Sequence, residues 1–555
     1  MSNAATHALA ALRAAARECQ LAAPSFSDEQ AAEGLAAIDE LRAHFLPRPA
    51  SASSAQAAAQ LLQLPLEILS VILSMLGTRE LARLAASCRS LWCDDPTLPP
   101  PPMPPRQVGL VETELRRRAV VRGLDVGSSL PEGALSWVPY LLKRDRRNAQ
   151  MRQAPLAVGP ELSMFVDTEG RLLTCGCDEM DDAFLLGHAD EDPGDASIDQ
   201  PSPVPSMQDR RIVSVASSSD HCLALSADGE VYSWGEGDSG ALGHGDRNTR
   251  MVPCRIESLS RIERTAVGPN STSAAVDQSG KLFTWGLADW LVEGVDGDMQ
   301  EFEEPNGLGH EFDADTKHQL TPKRVEALSQ ERVVGVALGW GFTLAVTDAG
   351  AVFSFGYSRN GELGHGSLTS VELPRRIEIL AQTGRRFVAV AAGDRHVLAL
   401  TEEGELYGWG HEEANGHGSG VAHLGEDHYE RTPHRVEAFG RERVKLVDAW
   451  NVFSCAVTEK GELFTWGRTT IYKNLGHGDE GPRNEPKRVE GLSGVKVAAV
   501  AIGSTHWLAA DEDGVVWAFG QRSALGLGYS GPEASAFVLP PTPIPTLRVR
   551  VLNSP

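Results

Sequence analysis

At 555 residues the chain exceeds what one ordinary hydrophobic core holds, so several domains or a repeat array are expected. An apolar content of 42% with 23% charged residues is that of a soluble globular protein, and no uninterrupted apolar run approaches the roughly eighteen residues of a bilayer span. The net charge of -24 is uneven: residues 153–555 hold 34 basic and 60 acidic side chains, a balance that argues against nucleic-acid binding by this part.

Residues 1–46 read as an exposed Ala-rich helical segment. MSNAATHALAALRAAAR carries Arg13 and Arg17 without an acid, the composition of an organelle transit segment, but Leu35, Ile38, Leu41 and Phe45 continue the helical spacing and favour the plainer reading. An Ala/Ser-rich linker, 47–61, leads to a helical module at 62–96, which a proline run then closes off. Within the module Ile68, Ile72 and Leu76 recur every four residues beside Leu69, and Gly77 ends the helix. Thr78 caps a second helix with Leu81, Leu84 and Cys88 on one stripe. Fewer than forty residues cannot bury so many aliphatic side chains alone, so a partner or the rest of the chain must cover some of them. Leu64-Pro65, the Glu-Ile-Leu continuation, Leu76, Leu81, Leu84, Cys88 and Trp92 resemble an F-box. That resemblance implies binding to a Skp-type adaptor and through it a cullin complex, with the adaptor surface formed by Leu64, Pro65, Ile68, Leu69, Ile72, Leu76, Leu81, Leu84, Cys88 and Trp92. The alternative is that these helices pack on the chain's own second domain.

Residues 97–150 form a Pro-rich linker and a basic helix. The RRR at 116–118 and KRDRR at 143–147 are read as a solvated linker rather than a nucleic-acid patch, because aromatic residues are sparse and acids are mixed in.

From 151 to 555 the chain repeats itself. GRLLTCG, GEVYSWG, GKLFTWG, GAVFSFG, GELYGWG, GELFTWG and GVVWAFG begin at Gly170, Gly229, Gly280, Gly350, Gly404, Gly461 and Gly514, and end at Gly176, Gly235, Gly286, Gly356, Gly410, Gly467 and Gly520. A Leu-Gly follows each one, in LLGH at 185, ALGH at 241, GLGH at 307, ELGH at 362, HLGE at 423, NLGH at 474 and GLGY at 526. An acid or serine ahead of the first glycine is turn chemistry. The alternating run before it and the β-rich phrase after it make two strands of a hairpin, and runs such as PKRVEAL supply an outer strand. Seven such units fit a mainly β fold, a seven-bladed β-propeller, with an open solenoid as the alternative. The phrase FVAVAAGDRHVLALTEEGELYGWG, 387–410, resembles the repeat of the regulator of chromosome condensation family, which implies that fold. Its activities include nucleotide exchange on a small GTPase, ubiquitin-ligase components and light sensing, so fold alone does not name one.

The histidine before LAL is present as His221, His396 and His506 and is replaced by Leu162, Ser271, Phe342 and Phe453, a scatter that suits packing rather than catalysis. Two long acidic insertions, 178–199 and 289–315, are expected to leave one face of the disc. They lack calcium-loop spacing, and the histidines at 411, 417, 423 and 428 lack zinc spacing, so no metal and no cofactor is expected. Cys175 and Cys177 are strand residues. Scattered cysteines without a secretory leader imply reduced thiols and an intracellular address, in cytoplasm or nucleus. The terminal LRVRVL, 547–552, is expected to be a strand in the last blade or beside the first.

From sequence, therefore, the expected function is a non-catalytic substrate-recognition subunit of a cullin-RING ubiquitin ligase, whose target protein is basic if it meets the acidic loops. The alternatives are a guanine nucleotide exchange factor and an interaction scaffold. A light sensor built on stacked tryptophans has only GWGFT, 339–343, in its favour.

Overall fold

In the computed structural model the described residues are 154–551, without 177–184, 189–197, 288–290, 294–298, 302–306, 311–317, 413, 419–428, 469–474, 479–482, 522–524 and 526–536. The module at 62–96, with all ten expected adaptor-binding residues, lies outside them, as do the segments on either side of it up to 153.

Each repeat forms one four-stranded antiparallel meander. In the fifth the strands are Phe387–Ala392, His396–Thr401, Leu406–His411 and Tyr429–Arg435, paired in chain order. Seven such sheets follow one another, as blade 1 (156–203), blade 2 (212–255), blade 3 (262–324), blade 4 (333–376), blade 5 (387–435), blade 6 (444–488) and blade 7 (497–548). First strands of successive blades pack against each other, and the first strand of blade 7 packs against that of blade 1, so the ring is closed. A seven-bladed propeller is the architecture. Second strands such as Phe342–Thr347 and His396–Thr401 are buried at every residue, because both of their faces meet a neighbouring blade.

The Pro-containing runs divide where a continuous outer strand was expected. In blade 3 the fourth strand, His318–Arg324, stops before Val325, and Glu326–Leu328 turns as a 3-10 helix that buries Leu328. Blade 4 does the same with Val371–Arg376 and the helical turn Glu378–Gln382, burying Leu380. Proline is tolerated in these strands because they are sheet edges.

Both glycines of the repeated phrase are required by the backbone. The first one always has φ between 79° and 86°, and its carbonyl accepts the N–H of the residue that opens the next blade, as in Gly229 to Ile262 (3.0 Å) and Gly404 to Val444 (2.9 Å). A Cβ at Gly229 would stand 2.9 Å from the Arg261 Cα. The second glycine also has positive φ, from 87° at Gly410 to 149° at Gly176, where a Cβ would overlap a carbonyl of the preceding hairpin. The side chain that caps the turn is not the residue before the first glycine but the one three positions earlier. Asp167, Asp277 and Asp511 accept the N–H four residues on through a carboxylate, and Ser226, Thr347, Thr401 and Thr458 do so through a hydroxyl.

Closure uses the C-terminal run twice. Phe537–Arg548 is the fourth strand of blade 7, and the next residue, Val549, bridges Asp167 of blade 1. Val549 N–H donates to Gly514, just as Ile212 donates to Gly170, and Val549 opposes Asp167 as Ile212 opposes Ser226. The innermost strand of blade 1 is thus assembled from two distant pieces, Val549 and Leu156–Val158.

Candidate functional site

The repeat histidines lie in the seams between blades. His221, His396 and His506 each place Nε2 2.7 Å from a serine Oγ of the following blade: Ser273, Ser454 and Ser163. Ser273 and Ser454 in turn donate to the carbonyls of Ala241 and Ala414, so the histidines supply the Nε2–H in those two seams. Burial holds His396 and His506 neutral, with pKa values down to about 3. Strand register corrects one assignment. Thr272, not Ser271, stands in for the histidine of blade 3, since Thr272 opposes Gly286 as His221 opposes Gly235. Where the position is apolar its neighbour is apolar or a thiol: Leu162 clusters with Cys222, Phe342 with Val397, and Phe453 meets Trp507 edge-on at 6.1 Å. Six of the seven seams therefore match like with like among the described residues.

One seam has the outline of a catalytic triad. His221 Nδ1 is 3.0 Å from Asp220 Oδ1, and its Nε2 reaches Ser273. Ser273 is fully buried with its proton committed to Ala241, so no substrate can approach this hydroxyl, and the group acts as a clasp between blades.

A second set of links runs from the loop after the third strand in five blades. The Ser233 hydroxyl donates to the Leu242 carbonyl (2.7 Å) and receives His244 Nε2 (2.9 Å); Thr174, Thr284, Ser354 and Thr465 do the same with Leu186 and His188, Leu308 and His310, Leu363 and His365, and Leu475 and His477. Burial lowers the pKa of His244, His310 and His365 to about 4. Tryptophans of the next blade bond into the same loops, Trp234 to Leu185, Trp285 to Ala241, Trp409 to Glu362 and Trp466 to Ala414, all at 2.7–2.8 Å.

This pattern relocates one of the Leu-Gly assignments. In blade 5 Trp466 reaches Ala414, Gly416 has φ +88°, and His417 bonds Gly408, so Asn415-Gly416-His417 fills the role expected of HLGE at 423. In blade 7 Leu525 is buried in a cluster with Cys175, and the GLGY that follows it lies outside the described residues. His417 is thereby committed to a carbonyl, and no group of three or more metal-ligating side chains occurs among the described residues.

Aromatic and cationic side chains gather on the face where first strands turn into second strands. In blades 4 and 5 this face gathers a cluster around Trp340. Its ring meets Tyr357 edge-on at 6.0 Å, the Arg395 guanidinium lies over it at 5.8 Å, and Arg359 lies over Tyr357 at 5.6 Å. Trp340 N–H donates to the Asp394 carbonyl (3.3 Å), and Gly341 N–H reaches Asn270 Oδ1 of blade 3 (3.4 Å), so three blades contribute. Burial raises the Asp394 carboxyl to about 6, against the pull of Arg395. Sequence reading singled out GWGFT but not Arg395, whose one signal is a charged pair, Asp394-Arg395, in a loop that is Gly-Trp-Gly in blade 4 and Gly-Pro-Asn-Ser in blade 3.

Comparison with known proteins agrees with the geometry. The RCC1-like domain family matches residues 262–553, more than half of the chain, and regulator of chromosome condensation (RCC1) repeats match 228–275 and 212–241. The chain belongs to the RCC1-like domain family. Among relatives of this RCC1-like chain, the E3 ubiquitin-protein ligase HERC2 of Homo sapiens is 36% identical over 368 residues, 65% of this chain and 7% of the ligase. The ultraviolet-B receptor UVR8 of Arabidopsis thaliana is 34% identical over 311 residues, 56% of this chain and 63% of the receptor. The chain thus spans less than two thirds of either relative. Yeast RCC1 (Prp20), solved bound to Kap60, has the same fold, with a TM-score of 0.55 at 22% identity over 75% of this chain and 89% of that one. Among the described residues no helix is long and apolar enough to cross a membrane.

Proposed function

We propose that this protein is the substrate-recognition subunit of a cullin-RING ubiquitin ligase, in which the F-box-like residues 64–92 bind a Skp-type adaptor and the propeller holds the target. The observation that carries this reading is the order of parts: an F-box-like sequence at 64–92, a Pro-rich stretch, then a closed propeller whose repeat histidines His221, His396 and His506 serve to join its blades. A disc built this way offers loops on its faces as the surfaces left for recognition. Such a subunit performs no chemistry itself; it contributes proximity, bringing a lysine of the target within reach of the ligase's transferring subunits. The test is capture of an adaptor–cullin complex by the full chain, compared with Leu64→Ala/Pro65→Ala and with residues 60–97 deleted. Loss in both variants while the propeller keeps its melting temperature supports the reading, and no capture by the unaltered chain rejects it.

A second reading is favoured by the fold shared with yeast RCC1, a protein whose binding to Gsp1p has been described. In it the propeller acts as a guanine nucleotide exchange factor or as an interaction scaffold. Accelerated release of labelled GDP from a small GTPase separates the exchange factor from both other readings.

A further inference from the structure

We propose that an arc of arginines on one face of the disc, Arg548, Arg211 and Arg261 with Arg550 beside them, is a docking surface for an acidic segment of a partner protein. The arc is built by the propeller alone, so it does not depend on the ligase reading.

In every blade the residue that opens the first strand donates its N–H to the first glycine of the preceding blade's phrase, as Ile212 does to Gly170 (2.8 Å) and Val549 to Gly514 (2.9 Å). The residue just before it is a cation at all seven junctions. Its aliphatic stem lies over that glycine: a Cβ at Gly170 would stand 2.7 Å from the Arg211 Cγ, and one at Gly350 2.5 Å from the Arg386 Cγ. Seven cations therefore ring the face where second strands turn into third strands. Four of them have an acid opposite. Arg386 meets Glu402 (3.4 Å), Arg443 meets Glu459 (3.4 Å), Lys496 meets Glu512 (3.8 Å), and Arg332 stands opposite Asp348, whose N–H donates to the Arg332 carbonyl (2.8 Å). At the remaining three junctions the opposite residue is Thr168, Ala227 or Gln278.

Arg548, Arg211 and Arg261 are exposed, and none makes an ion pair among the described residues. Arg550 is held beside them by its N–H to the Val166 carbonyl (3.2 Å), and burial together with the Arg211 charge lowers its pKa. Acids of the same sector are engaged elsewhere: Asp167 (2.6 Å) and Glu169 (3.0 Å) with Arg171, Glu230 (3.3 Å) and Glu257 (3.6 Å) with Arg255. Asp277 and Asp511 accept N–H groups of their own hairpins. Asp209, Asp228 and Asp513 also belong to this sector, but none comes within ion-pair distance of the four arginines.

The three unopposed junctions are consecutive, from blades 7 and 1 to blades 2 and 3, so a ligand meeting all of them needs several anionic groups along its length. An extended peptide sets alternate side chains ~7 Å apart on one side and can offer a carboxylate to each guanidinium in turn. A long nucleic acid would run past the arc onto the acid-paired half of the ring and the acidic remainder of the disc. The strands that lead to the acidic insertions, Leu172–Gly176 and Leu282–Leu287, run away from this face. On a chain of net charge -24 an acidic segment is repelled over most of the surface and attracted here, which makes the site selective.

The experiment uses the full chain and three labelled probes: a twelve-residue peptide of alternating Glu and Ser, its Gln–Ser counterpart, and a twelve-nucleotide dT strand. Fluorescence anisotropy is expected to show the Glu peptide binding at least tenfold tighter than the Gln peptide, with the difference shrinking as salt is raised. The deciding variant is Ala227→Glu/Gln278→Glu, which gives Arg211 and Arg261 the opposing acids that Arg386 and Arg443 already have. Both positions are exposed, and the variant should bind the Glu peptide no better than the Gln peptide. Equal binding of the two peptides by the unaltered chain, or a Glu preference that survives in the variant, would overturn the site. Tighter binding of the dT strand than of the Glu peptide, lost in the same variant, would assign the arc to nucleic acid and overturn the acidic-segment proposal. If that variant melts lower than the unaltered chain, Glu402→Gln/Glu459→Gln serves instead: freeing Arg386 and Arg443 lengthens the arc and should raise Glu-peptide affinity about threefold, and no change counts against the site. None of these probes involves an adaptor, so failure of this site and failure of the ligase reading are distinguishable.

Discussion

At the scale of single residues, the histidines show how one position does two kinds of work in one ring. Each buried histidine between blades meets a serine of the next blade, whose own proton in the His221 and His396 seams is spent on a carbonyl, and where that serine is missing the histidine is missing too. The coupling is testable in the seam between blades 5 and 6. Ser454→Val strands the His396 Nε2–H in a dry site and is expected to cost ~1–3 kcal/mol. Combining it with His396→Phe recreates the Phe342–Val397 chemistry of the neighbouring seam, so the double variant should be more stable than the sum of the single changes by ~1 kcal/mol or more. Denaturant midpoints of the four proteins measure this, and strict additivity would show that the residues of the seam act independently.

At the scale of the blade, equivalent positions are not interchangeable. Five blades place a serine or threonine two residues before the second glycine, where the hydroxyl ties down the following loop, and blade 5 has Gly408 there. The missing side chain lets the backbone of Asn415 come close, and a Cβ at 408 would overlap the Asn415 carbonyl oxygen. Gly408→Ser, which the pattern of the other blades would recommend, should therefore lower stability by ~2 kcal/mol or more, because backbone rather than a flexible side chain must move. An unchanged or raised melting temperature would mean that the 414–418 loop rearranges freely. The same loop shows why HLGE at 423 misled: a Leu-Gly match in sequence carries no information about which carbonyl Trp466 reaches.

At the scale of the whole molecule, ring closure depends on residues almost four hundred positions apart. Val549, 1% exposed, shares a core cluster with Leu156, Phe165 and Leu508 and completes the innermost strand of blade 1. Placing a charge there separates blade 7 from blade 1. Val549→Asp is expected to cost at least ~3 kcal/mol, since a buried carboxylate without a partner adds to the lost packing. The exposed turn residue Asp513 provides the control, with Asp513→Ala leaving the melting temperature within a degree or two. A similar response of the two variants would show that the C-terminal run does not hold the ring. Slow folding is also expected of such long-range pairing, because loop closure must precede the contacts that reward it.

Sequence by itself determined the repeat count, the hairpin within each unit and the two glycines of each phrase, because these rest on local backbone geometry, which leaves a fixed spacing in the chain. Tertiary structure alone decided the rest. Which residue opposes which across a seam, the replacement of Leu-Gly by Asn-Gly in blade 5, the two-piece inner strand of blade 1 and the meeting of Trp340, Arg395 and Asn270 all join different blades. Contacts of that kind follow from ring geometry and leave no periodic mark, since each needs only complementarity to a neighbour about fifty residues or more away.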